Sequence, residues 1–175
     1  MIDYRVAPLE GFTEKIGELV FMLEHVRSVT VQEVSKLSRN ALDTAGEAGG
    51  NSIGALLSHM AAIEKAHQLI SFKKRNFTPL EYAEWRTVLE LGEEAKTVIQ
   101  GNDLDFYVEQ LREVRTATLN QFRKFDDSWL YEESAWPNGT PYNHYYLWFH
   151  VLEDEINHRG QIRTIMRQIK NGGFQ

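Results

Sequence analysis

The 175-residue sequence predicts an all-α chain: a four-helix bundle with a short helical crossover between helices two and three. Three observations carry this expectation. Apolar residues recur every three or four positions over long stretches, the period of helices with one buried face. Four prolines and the lack of any strictly alternating apolar run point away from strands. The link between the second and third long helices is too long for a simple hairpin, which favours a crossover over plain up-down order. The length, with 42% hydrophobic residues, fits one domain over residues 1–175. The chain has no internal repeat, no low-complexity tract and no linker that would divide it.

Each element has its own signal. Phe12, Ile16, Leu19, Leu23, Val26 and Val34 form one stripe and predict a first helix over about residues 12–38. Ser38-Arg39-Asn40 through Gly49-Gly50 reads as a loop. Asn51 or Ser52 can cap the second helix, whose seam is Leu56, His59, Ile63, Ala66 and Ile70, ending near Phe72. Thr78-Pro79-Leu80-Glu81 is a capping box with proline at the first helical position, opening a short helical link to about Val98. Gly101-Asn102-Asp103 breaks and recaps the chain before a third long helix, with Leu104, Val108, Leu111, Thr118, Phe122 and Phe125 as inward candidates. Asp126 to Gly139 is expected to be irregular. Thr140-Pro141 is expected to start the last helix, which runs to about Lys170 and stops at Asn171-Gly172-Gly173.

Composition narrows the function classes. A net charge of −6 with scattered basic residues argues against nucleic acid as a partner. The run Lys73-Lys74-Arg75 reads as a solvated helix end. There is no cysteine, hence no disulfide, no thiolate metal site and no cysteine nucleophile. The N-terminus MIDYRVAPLE has no signal-peptide pattern, and no uncharged stretch approaches the roughly 20 residues of a membrane span. A cytoplasmic location and no membrane partner are the expectation.

Polar residues on an apolar stripe are the main clue. The last helix reads Leu147, Val151, Asp154, His158, Ile162, Ile165 and Ile169 along one seam. A buried carboxylate without compensation costs several kcal/mol, roughly, so something must answer Asp154. Asp154 and His158 are four apart and share a helix face, the spacing by which paired side chains grip one ion. His59 occupies the seam of the second helix. Two imidazoles and a carboxylate suit Zn²⁺, Ni²⁺ or Fe²⁺, and a three-ligand set leaves a coordination position open. Spacing alone also allows Asp154 and His158 to form a buried ion pair, and His59 to be a hydrogen-bonded core residue.

The other polar and aromatic candidates carry less. His25 and His67 fall off the main seams and are expected at the surface or boundary. His150, four residues before Asp154, is a candidate for supporting the ligands from behind or lining a pocket. His144 is a candidate for a pocket mouth. A structural role is favoured for both. Trp136, Tyr142, Tyr145 and Trp148 are candidates to wall an apolar substrate pocket, with ordinary packing favoured for any one of them. Glu155 follows Asp154 as the general-base Glu follows the first His of HExxH motifs. At about 100° round the helix, solvent exposure is favoured for it instead.

The segment His150-Val-Leu-Glu-Asp154-Glu-Ile-Asn-His158-Arg-Gly-Gln161-Ile resembles the C-terminal signature of the DinB/YfiT-like superfamily. Asn51-Ser-Ile-Gly-Ala-Leu-Leu-Ser-His59-Met-Ala-Ala-Ile-Glu64 resembles that family's second helix. The resemblance covers nearly the whole chain. It implies a four-helix bundle holding a metal between helices two and four, with His59, Asp154 and His158 at the ligand positions. The family's usual middle ligand is His; Asp154 is similar to the carboxylate of the branch that resembles mycothiol-dependent maleylpyruvate isomerases. The resemblance further implies a transferase or isomerase using a low-molecular-weight thiol on a small electrophilic substrate, and a homodimer. A metal-dependent hydrolase with Glu155 as base, and a non-enzymatic bundle with a structural ion, are the competing readings.

Overall fold

The computed structural model of the chain describes residues 4–46 and 49–172. Among these, four long helices form the bundle: α1 (Glu14–Val34), α3 (Ile53–Lys73), α6 (Leu104–Phe122) and α7 (His144–Gly172). A short helix α2 (Arg39–Asp43) follows α1, and α4 (Pro79–Glu90) and α5 (Glu93–Val98) make up the crossover. The first helix is shorter than the stripe suggests. It ends at Val34, and Ser38 starts the separate helix α2, its hydroxyl accepting from the Ala41 N–H.

The predicted caps of the second helix and the crossover are both present. The Ser52 hydroxyl accepts from the Ala55 N–H at 3.2 Å, and Thr78 and Glu81 complete their capping box reciprocally. The stretch expected to be irregular contains a 3₁₀ turn (Asp127–Tyr131) and a small antiparallel hairpin of β1 (Glu133–Ala135) with β2 (Pro141–Asn143). Pro141 therefore belongs to a strand rather than to a helix start. The helix begins at His144, with the Asn143 side-chain oxygen accepting from the Tyr146 N–H at 2.9 Å. Gly173, part of the expected stop signal, lies outside the described residues.

Cross-helix pairs fix the direction of each helix. Ser58 meets Gln110 and Gln68 meets Thr118, so α3 and α6 run parallel. His59 meets His158 and Ser71 meets Trp148, so α3 and α7 run antiparallel. Arg27 meets Glu155 and Glu33 meets Arg163, so α1 and α7 run parallel. The order is up, down, down, up, and the two parallel neighbours in sequence require the crossover through α4 and α5. At one end of the α3–α6 contact, Tyr107 lies directly on Gly54, where any side chain would collide.

Two apolar clusters form the core. One gathers Val34, Leu42, Ile53, Leu56, Tyr107, Leu111, Ile162 and Ile165. The other gathers Ile16, Leu19, Leu23, Phe122, Trp129, Trp148 and Val151. Phe72 stacks among Phe122, Trp129 and Trp148 with ring centroids 5.2–5.5 Å apart, contacts contributing about 0.5–1.5 kcal/mol per pair beyond burial. On every long helix a charged residue sits between the two clusters: Arg27, Glu64, Arg115 and Glu155, all buried. Among the described residues, no helix is long and apolar enough to cross a membrane.

Candidate metal centre

His59 projects from the middle of α3 because its neighbours Leu56 and Met60 hold that face in the core. Its Nδ1 lies 2.7 Å from the Val88 carbonyl oxygen in α4. With Nδ1–H donating there, Nε2 carries the lone pair and faces α7. Burial pushes the His59 pKa down, against the opposing effects of the Val88 carbonyl and Asp154, so the ring is neutral and fit to ligate. Asp154 Oδ1 lies 3.8 Å from His59 Nε2 and 3.3 Å from His158 Nε2. The rings of His59 and His158 meet edge to face, centroids 4.8 Å apart.

These three side chains form the cluster of metal-ligating type found among the described residues, with one candidate donor atom from each lying within 4.8 Å of the others. They are gathered without being bonded into a closed set. The 3.8 Å separation exceeds hydrogen-bond reach. Asp154 Oδ2 and His158 Nδ1 are buried with no hydrogen-bond partner. Such unpartnered buried atoms are costly as they stand. The atoms that lie together, His59 Nε2, Asp154 Oδ1 and His158 Nε2, are two imidazole donors and one carboxylate donor able to take a cation. The donor set fits a divalent ion.

The remaining candidates are placed differently. Glu155 is 2% exposed, not solvated, because the helix face 100° from Asp154 packs against α1. Both its oxygens accept from Arg27 Nε at 3.1 Å, which takes it out of the role of a base beside the cluster. Trp148 is fully buried in the aromatic core and donates to Ser71 Oγ at 3.2 Å, and Tyr145 meets Tyr131 edge to face at 5.9 Å. Trp136 and Tyr142 stack on each other across the hairpin. All four aromatics have ordinary packing partners.

His144 is buried against Trp129, with Nδ1 2.9 Å from the Trp129 carbonyl. With Lys74, Arg75 and Tyr142 it lines a cavity of about 220 Å³ that does not include His59, Asp154 or His158. His25 sits at the boundary as expected, but His67 does not. It is buried, with Nδ1 2.8 Å from the Ile63 carbonyl and its ring 5.5 Å from that of His150. Burial lowers its pKa to about 4, the Ile63 carbonyl opposing. His150 is half-buried, with Nδ1 3.3 Å from Glu153.

Val88 was invisible to motif reading because it acts through its backbone carbonyl. The charged layer was legible in principle. Arg115 continues the seam Leu111, Thr118, Phe122, and Arg27 the seam Val20, Leu23, Thr30, Val34.

Comparison with solved structures supports the fold. A conserved protein from Enterococcus faecalis superposes with a TM-score of 0.65 at 15% identity, over 87% of this chain and 95% of that one. YfiT from Bacillus subtilis, described as a probable metal-dependent hydrolase with an unusual four-helix bundle topology, superposes with a TM-score of 0.62 at 18% identity, over 99% of this chain and 95% of that one. No curated protein matches the sequence. The model of the mycothiol S-transferase family matches residues 18–172, a span that takes in all four long helices but for the first turn of α1, and with them His59, Asp154 and His158. A match over that much of the chain makes it a member of the mycothiol S-transferase family of DinB-like bundles.

Proposed function

We propose that the chain is a divalent-metal-dependent transferase that joins a low-molecular-weight thiol to a small electrophilic molecule in the cytoplasm, with His59, Asp154 and His158 as the metal ligands. The observation that carries this reading is the convergence of those three side chains, two of which also carry a buried polar atom without a partner, in a chain of this family. Zn²⁺, Ni²⁺ and Fe²⁺ are the ions the donor set suits. Bound there, the ion would lower the pKa of a thiol that reaches it, so that thiolate is present at neutral pH. The protein's own part is to hold two neutral imidazoles and one carboxylate in place and to keep the His59 tautomer through Val88. The thiol must come from a separate molecule, since the chain has no cysteine.

The hydrolase reading loses its candidate base, because Arg27 holds Glu155 on the face of α7 that packs against α1. A homodimer belongs to the same proposal. Phe149 and Ile156, exposed by 49% and 41% on α7, offer apolar surface for it. Light scattering at micromolar concentration checks it, and a monomer throughout argues against it.

The deciding experiment uses protein purified without an affinity tag. Metal analysis is expected to give one divalent ion per chain. A screen of small thiols with electrophiles is expected to show thiol consumption that a chelator abolishes and the metal restores. Turnover of every active pair unaffected by complete metal removal would overturn the proposal.

A further inference from the structure

Asp154 and His158 pair at 3.3 Å on one helix, but His59 Nε2 stays 3.8 Å from Asp154 with no hydrogen bond joining it to them, yet the three converge. The same helices carry buried charges on other faces. Asp154 faces α3, and the next residue, Glu155, faces α1. Glu155 takes two bonds from Arg27 Nε at 3.1 Å, lies 3.0 Å from Arg27 Nη2, and has Arg115 Nη2 at 3.9 Å. Glu64, five residues after His59 and so about 140° round α3, accepts from Arg27 Nη2 at 2.9 Å, Arg115 Nε at 2.8 Å, Arg115 Nη2 at 3.1 Å and Thr118 Oγ1 at 2.6 Å. Arg27 also donates to the Leu111 carbonyl at 2.7 Å, and Arg115 to Glu24 at 2.9 Å.

Each long helix thus contributes one member of a buried, formally neutral tetrad: Arg27 from α1, Glu64 from α3, Arg115 from α6 and Glu155 from α7. Apolar residues of the same shape commonly stabilise a core as well as or better than such a group. What charges add is discrimination among arrangements. A turn of α7 about its axis, or a slide of one residue, would strand Glu155 in the core without its Arg. The same turn would carry Asp154 and His158 away from His59.

We propose that this tetrad is a positioning device for the metal centre, setting the rotation of α7 and α3 so that His59, Asp154 and His158 converge before any ion arrives. The inference rests on the ligand assignment above. It makes Arg27 and Glu155 positioning residues that never touch the ion.

The test compares wild type, Glu155→Gln and the double variant Arg27→Met with Glu155→Leu. The double change removes one charge of each sign and leaves Glu64 with Arg115. Co²⁺ is the probe, its affinity measured by competition with a chromophoric chelator and its ligand geometry by the d–d absorption band. Thermal unfolding of the metal-free proteins is measured in parallel. The double variant is expected to unfold at or above the wild-type temperature while its Co²⁺ affinity falls at least tenfold and its band changes. If the double variant fails to fold, Glu155→Gln carries the test, with a fall in affinity expected at near wild-type stability. Wild-type affinity and spectrum in a folded variant would show the tetrad to be packing only, as would an affinity that merely tracks lost stability. A wild-type protein that takes up no Co²⁺ would overturn the ligand assignment itself, a result separate from any failure of the variants.

Discussion

The roles of the two ring nitrogens of His59 are settled by a backbone atom. Val88 accepts from Nδ1, so Nε2 is left for Asp154 and His158 to approach. This division makes the ligands unequal to their neighbours in a measurable way. His59→Ala and His158→Ala are each expected to abolish stoichiometric metal binding, while His150→Ala retains it, because His150 turns to Glu153 and His67. Metal content of tag-free protein reads the result directly, and full occupancy in either ligand variant would show the ligand set to be wrong. The His158→Ala fold is expected to unfold within a few degrees of wild type, since the change also removes a buried orphan nitrogen. A sharp loss of stability on metal removal would mark a structural ion instead. Asp154→His restores the commoner ligand type of the family resemblance and is expected to bind at least as tightly. If it destroys binding, Asp154 orients His158 rather than ligating.

The helices follow from local signals where the signal is self-contained. The hydroxyl of Ser52 and the Thr78–Glu81 box each satisfy N–H groups within three residues, so short sequence windows contain everything needed. The hairpin does not. Thr140-Pro141 looks like a helix start, but proline at the edge of a short strand is equally allowed, and the choice depends on Glu133–Ala135 pairing with it. The start of α1 is likewise capped from far away. Thr13 makes no cap to its own helix. Asp127, in the 3₁₀ turn, instead accepts from the N–H groups of Lys15 and Ile16 at 3.0–3.1 Å. Its carboxylate also sits at the positive end of the helix dipole. Asp127→Ala is therefore expected to cost about 1–2 kcal/mol, the upper range for a helix cap. For a chain of this length that lowers the midpoint of thermal unfolding by roughly 2–8 °C. An unchanged midpoint would mean that water serves the exposed first turn just as well.

Across the whole molecule, polar residues on apolar stripes point to His59, Asp154 and His158 as a group but, read on one helix and its partner, leave the buried tetrad unread. Arg27, Glu64, Arg115 and Glu155 each interrupt a seam, yet charge alone suggests solvent, and only the packed bundle shows which charges meet. Sequence periodicity places a residue on a face; it does not say that two faces carry opposite charges at the same depth. These groups also govern how the fold responds to acid. Burial would raise the Glu64 pKa, but Arg115 and Arg27 outweigh it and bring the value down to about 2, from an ordinary 4.5. Its stabilisation is complete above pH 4.5 and is lost as pH falls towards 2, because the unfolded chain takes up the proton first. His67 acts in the same direction at higher pH. Burial lowers its pKa from 6.5 to about 4, so the folded state resists a proton that the unfolded state accepts. Stability should begin to fall below pH 6.5 and continue to fall to about pH 4, a loss of roughly 3 kcal/mol from this group. Burial lowers the pKa of His59 and His144 as well, so both act in the same direction as His67. Chelator-treated protein unfolded by urea at a series of pH values is expected to lose stability continuously from pH 6.5 downwards. In His67→Phe the slope between pH 6.5 and 4 should become shallower while the decline below pH 4.5 remains. If the variant keeps the full slope in the upper interval, His67 is not the group that links folding to acid there.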